Sequence, residues 1–179
     1  RATRIGTLTK EEAGRGGGQG LELVRKAVLG DVPAIYEIVE AFAKKGIMLH
    51  RSETDICDSL RDFFVYEKEG KIVGTCALHI CSADMGEIRT LAVRDAHTRG
   101  GIGTKLVTAC LDEASSLGLK KVFALTYKTA FFNKLRFKVI NKELLPHKIW
   151  GDCIKCVKFP NCDENAVIIT IVPRHGGDD

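Results

Sequence analysis

Three groupings of residues in this chain have types and spacings that can do chemistry. In the run Glu87-Ile-Arg-Thr-Leu-Ala-Val93, an extended backbone places Glu87, Arg89 and Leu91 on one face, with an acid and a cation side by side. Such a pair is either a plain structural salt bridge or a proton-handling carboxylate beside a guanidinium that can hold an anion. Downstream, Gly100, Gly101 and Gly103 precede a long run of helical periodicity. Glycines there let backbone N–H groups crowd around an anion, and a helix start adds partial positive charge. A phosphate is the natural occupant, and a simple glycine turn is the alternative. Spacing excludes two nucleotide loops: no Lys-Ser/Thr follows the glycines, and Gly101-Ile-Gly103-Thr-Lys-Leu106 does not complete G-x-G-x-x-G.

The third grouping is Cys153, Cys156 and Cys162 in the pattern C-x-x-C-x5-C, with His147 upstream. Together these four could close a tetrahedral zinc site, which would pin the 147–163 loop rather than catalyse, since every ligand position would be filled by protein. Reduced clustered thiols are an equal alternative. A disulfide or redox pair is a third, disfavoured in a reducing compartment. Cys57, Cys76, Cys81 and Cys110 fall at apolar or mixed positions and are expected to act as small hydrophobes.

These groups need elements to position them. The chain has 179 residues, 45% hydrophobic, with 27 Lys+Arg against 23 Asp+Glu, for a formal charge of +4. That suits one globular domain able to build a core without staples. No apolar run approaches the ~20 residues that cross a bilayer, and the N-terminus lacks the basic-then-apolar pattern of a secretory signal. Lys44-Lys45 and Lys120-Lys121 are isolated pairs, so no basic stripe suggests nucleic acid. Residues 1–20 are glycine-rich and polar and are expected to be a disordered lead: a linker, a cloning remnant or the remainder of processing. Residues 174–179 are expected to be a disordered tail, leaving a domain over 21–173.

Within it, apolar spacing alternates between periods of two and 3.6. Strands are expected at Leu21–Val28, Phe63–Lys68, Lys71–Cys81, Gly86–Val93, Lys121–Thr126 and Asn165–Val172, with Glu69-Gly70 as a hairpin turn. Asp31 is expected to cap a helix that has Pro33 in its first turn and Ile35, Ile38, Val39 and Phe42 as its stripe. Ser52–Arg61 is expected to be a second helix, with Ser52 and Asp55 at capping-box spacing. Ile102–Leu117 carries the clearest stripe, through Leu106, Val107, Cys110, Leu111 and Ala114, and ends at Gly118. Thr129–Leu135 is a short helix. The order implies a mixed α/β or α+β sheet.

A strand ending in Leu91-Ala92-Val93, followed by Thr98-Arg-Gly-Gly101-Ile-Gly103 at a helix start, resembles the acetyl-CoA motif of the GNAT N-acetyltransferases, Q/R-x-x-G-x-G/A. Thr98 stands where Gln or Arg is usual, with Arg99 beside it as a substitute cation. Phe132 stands where many members place a Tyr that protonates the departing thiolate. The likeness runs in element order over about residues 21–172 and implies a twisted mixed sheet flanked by helices, with acetyl-CoA held by Leu91, Ala92, Val93, Thr98, Arg99, Gly100, Gly101, Ile102, Gly103 and Thr104. Within the family, Met48-Leu-His-Arg51-Ser52, Glu87 to Val93, Leu125-Thr-Tyr127 and Leu145-Pro146 resemble the N-acetylglutamate synthase type. Arg51 maps onto its Leu-Pro-Arg-Ser segment; His50 does not.

That resemblance implies acetyl transfer from acetyl-CoA to the α-amine of L-glutamate, the first step of arginine biosynthesis. An ammonium must lose a proton before it attacks a thioester, so Glu87 is implied as the base, directly or through water. Backbone donors near Leu91–Val93 would polarise the carbonyl. Arg51, then Arg89, would hold the carboxylates of the acceptor. Tyr127 and Thr126 are the nearby hydroxyls for the thiolate, with Tyr127 preferred, although water could serve. A cytoplasmic setting, with an organelle matrix or stroma as the alternative, and a homo-oligomer or an upstream amino-acid-kinase-like domain are further implications. Acetylation of another small amine or a protein amine, and a non-catalytic acyl-CoA-binding module, remain alternatives.

Overall fold

The computed structural model describes residues 21–145 and 161–172. The described residues form seven strands: β1 (Glu22–Lys26), β2 (Phe63–Lys68), β3 (Lys71–Ile80), β4 (Met85–Val93), β5 (Lys121–Thr126), β6 (Lys138–Ile140) and β7 (Asn165–Thr170). They form one sheet in the order β1-β2-β3-β4-β5-β7-β6, in which only the β4–β5 pair is parallel. The helices are α1 (Val32–Ala43), α2 (Glu53–Asp58), α3 (Ile102–Ser116) and α4 (Thr129–Lys134).

Helix α3 packs on one face because Leu106, Val107, Cys110 and Ala114 recur at helical spacing and are all fully buried, against Val73, Cys76, Leu78, Ile88 and Val122 of the sheet. Phe132 of α4 joins the same cluster, stacked edge-on against Phe131 and Phe137. The opposite face carries α1 and α2, whose Ile35, Val39 and Ile56 close over Phe63, Val65 and Ala77. Gly74 lets α3 settle on β3, since a Cβ there would stand 3.1 Å from both Ile102 Cγ2 and Leu106 Cδ1. Among the described residues no helix is long and apolar enough to cross a membrane.

Several local expectations change. The Asp31 carboxylate makes no cap bond to α1. It takes two bonds from the Arg25 guanidinium, at 2.6 and 3.0 Å, and one from Val28 N–H at 2.8 Å, because β1 brings Arg25 alongside it. Helix α2 stops at Asp58, and a 3-10 turn, Leu60–Asp62, completes the expected span; its Ser52–Asp55 capping box forms as expected. Strand β6 is only three residues and owes its existence to pairing with β7, so no alternation announces it. Cys76 and Cys110 are buried, with sulfurs 3.6 Å apart, whereas Cys57 is exposed on α2. Burial pushes the Cys76 thiol up, and the adjoining Cys110 adds to that shift.

Candidate active site

Strands β4 and β5 pair only from Met85–Lys121 to Ile88–Ala124, so they separate beyond Ile88. From Arg89 to Val93, β4 is bonded on its β3 side alone, and those backbone N–H groups that point away from β3 face the gap. The gap coincides with a bulge: Thr75 pairs with Ala92 but Ala77 with Arg89, so Thr90 and Leu91 together oppose Cys76. Thr90 has φ +53°, a left-handed conformation that a β-branched residue adopts only under constraint. The extra residue turns Leu91 onto the cluster beneath α3, whereas uninterrupted alternation would place it beside Glu87 and Arg89.

Glu87 and Arg89 stay on the α1–α2 face, their strand partners being His79 and Ala77. Glu87 is 8% exposed, and Arg89 Nε donates to its Oε2 at 2.6 Å. The expected pair is therefore a real, largely buried contact at the base of the gap. A buried ion pair is held by hydrogen bonds and costs desolvation, so its net contribution to stability is small. The contact fixes the Glu87 carboxylate close to the point where the strands part.

Beyond Val93 the chain turns into α3. Arg94 anchors the turn, with Nε donating to Ile72 C=O at 3.1 Å and a terminal nitrogen to Glu37 at 3.0 Å. Lys45 Nζ reaches Asp95 at 2.8 Å, and this cation holds the Asp95 carboxyl below its usual range. Thr98 Oγ1 donates to Asp95 C=O. Gly101 takes φ +73° as the residue before α3, a geometry that suits glycine. The first α3 bond runs from Lys105 N–H to Gly101 C=O, so Ile102, Gly103 and Thr104 have N–H groups with no acceptor inside the helix. Thr98, Arg99, Gly100, Gly101 and Thr104 are exposed around those donors. This is a concave set of N–H groups at a helix start, chemically suited to a pyrophosphate.

The other expected residues approach from separate elements. Arg51 precedes the Ser52 cap of α2, on the face that carries Glu87 and Arg89. His50, unmatched in the motif, ties this approach to α1: its Nδ1 lies 2.6 Å from Glu40, and its ring meets Tyr36 edge-on. Tyr127 follows β5 and is 40% exposed, and its hydroxyl donates to Asp163 at 2.5 Å. Sequence reasoning missed His79, whose Nδ1 is 2.8 Å from Asp62 Oδ2; the pairing register that sets it next to Glu87 is not written in either residue's own neighbourhood. His147, Cys153 and Cys156 lie outside the described residues; Cys162 is described, half-buried. Among the described residues no three His, Cys, Asp or Glu side chains are grouped so as to hold a metal.

Known proteins are similar to this chain. An uncharacterized N-acetyltransferase of Chlorobaculum tepidum is 42% identical over 148 residues, covering 83% of this chain and 96% of its own. The amino-acid acetyltransferase of Mycobacterium tuberculosis is 41% identical, covering 66% of this chain and 69% of its own, whereas the chain spans only 29% of a Neisseria meningitidis enzyme of that name that is 33% identical to it. Among solved structures, N-acetylglutamate synthase from Neisseria gonorrhoeae, complexed with coenzyme A and N-acetyl-glutamate, superposes with a TM-score of 0.77 at 26% identity, over 87% of this chain and 36% of that one. An M. tuberculosis protein in complex with CoA and NLQ gives 0.73 at 32% identity, over 84% and 99%. The acetyltransferase (GNAT) family matches residues 32–137, and with the parted β4–β5 pair and the glycine turn at α3 the chain is an N-acetyltransferase that belongs to this family.

Proposed function

We propose that this acetyl-CoA-dependent enzyme acetylates the α-amine of L-glutamate, a step of arginine biosynthesis. The observation that carries the reading is the buried Glu87–Arg89 pair, set on β4 where β4 and β5 part. The gonococcal synthase and the amino-acid acetyltransferases among the relatives support the choice of acceptor.

In this reading those N–H groups of Leu91–Val93 that point away from β3 orient the acyl arm and polarise its carbonyl. The turn from Thr98 to Thr104, with Arg99 as its cation, takes the pyrophosphate. Glu87 removes a proton from the substrate ammonium, which frees the nitrogen lone pair for attack. Arg51 and Arg89 hold the acceptor carboxylates. The Tyr127 proton is engaged with Asp163, so the departing thiolate, a good leaving group, takes its proton from water rather than from Tyr127. The test is thiol release from acetyl-CoA with L-glutamate beside other amino acids, polyamines and a lysine-containing peptide. Release with glutamate alone is expected. Release with a different acceptor overturns the glutamate assignment, and no release with any acceptor, while CoA still binds, favours an acyl-CoA-binding module.

A further inference from the structure

We propose that His79 carries the proton onward from Glu87 to solvent and that Asp62 positions it for this role; the inference rests on the acetyl-transfer reading above. His79 and Glu87 are direct partners across β3 and β4. Partners of that kind have Cβ atoms about 4.5–5.5 Å apart on the same face. The face is fixed by their neighbours: Ala77, two residues before His79, lies in the cluster under α1, while Leu78 and Ile88 lie beneath α3.

Asp62 enters from the turn after α2, and its Oδ2 is 2.8 Å from His79 Nδ1. A carboxylate oxygen accepts, so Nδ1 is the ring nitrogen that donates to Asp62, and Nε2 is the one left for proton exchange. The Glu87 side chain is 11% exposed and that of His79 is 38% exposed, so the two step from the protein interior to water. Among the described residues, the charged groups bonded or paired along this step include Asp62 on one side and Glu87 and Arg89 on the other.

The reaction requires such an exit. Substrate ammonium and the thioester give amide, thiol and one proton per turnover. Glu87 takes the first proton, the amine nitrogen forms the C–N bond, and the C–S bond breaks with its electron pair on sulfur. The second nitrogen proton leaves as the intermediate collapses and balances the thiolate through water. Glu87 must then ionise again, and its proton passes to His79 Nε2, directly or over one water, and from the imidazolium to buffer.

Steady-state thiol release with acetyl-CoA and L-glutamate tests this in His79→Ala and His79→Gln, with calorimetric CoA binding as the check on folding. The expected result is a kcat lowered by about 10- to 100-fold, KM values within about twofold of the parent and unchanged CoA affinity. Added imidazole should restore part of the His79→Ala rate with saturation. Asp62→Ala should lower kcat less, and Asp62→Asn, which can still accept from Nδ1, should recover part of that loss. Undiminished kcat in His79→Ala overturns the relay, as does a loss that imidazole fails to relieve. If the parent protein itself releases no thiol with any acceptor, it is the acetyl-transfer reading that falls, and the relay falls with it.

Discussion

Glu87 is a buried carboxylate with a fixed hydrogen-bond partner, and both properties come from its place on β4 opposite His79 and two residues before Arg89. Glu87→Gln preserves the shape and an oxygen that can still accept from Arg89. It is therefore expected to lower kcat by about 10²- to 10⁴-fold with CoA affinity unchanged, as read by thiol release and calorimetric titration. Asp31 belongs to the frame instead. The bonded Arg25 guanidinium, aided by Val28 N–H, holds its carboxyl below the ordinary value of 3.8 against the opposing effect of burial. A lowered folded-state value means that this stabilisation is complete at pH above 3.8 and is lost as the pH falls through the folded-state value. Asp31→Asn should cost about 1–3 kcal/mol at neutral pH and flatten the acid limb of stability, measured by chemical denaturation from neutral to acidic pH. At this scale the Glu87–Arg89 contact was legible from alternation alone, because no bulge lies between them. Leu91 was not, because Thr90 adds a residue to the strand.

Helix α3 is the element whose position matters to the site, since its first turn supplies the N–H donors and its apolar stripe sets their height above the sheet. Gly74 controls that height. Gly74→Val would drive methyl groups into Ile102 and Leu106, and is expected to cost about 1–3 kcal/mol and to weaken CoA binding together. Denaturant titration and calorimetry on the same sample check this, and a loss of stability without a loss of affinity would separate the helix seat from the cofactor turn. The stripe of α3, its glycine start and the Glu69-Gly70 hairpin were legible because local periodicity and turn chemistry specify them. Strand β6, with three residues, carries no such signal, and Asp31 lost its cap role to a partner on β1.

For the whole molecule the decisive feature is the opening between β4 and β5 beyond Ile88, lined by the edge of β4 that β5 leaves unpaired. A ligand bound only by the folded state stabilises it by mass action. CoA at about 100 times its dissociation constant should add about 2.7 kcal/mol, which corresponds to about 5–10 °C in melting temperature for a domain of this size. Thermal melts across a CoA titration check the expectation, and a melting temperature independent of CoA would contradict binding in the gap.

By itself the sequence determined the order of the helices and of every strand but β6, the buried stripes, the glycine turn and the acid–cation pair, since each rests on spacing within a single element. Tertiary structure alone decided that β4 and β5 part after Ile88, that Thr90 bulges, that Tyr127 is tied to Asp163, and that Asp62 and His79 meet beside Glu87. These depend on strand register and on approaches between residues far apart along the chain, which no local period encodes.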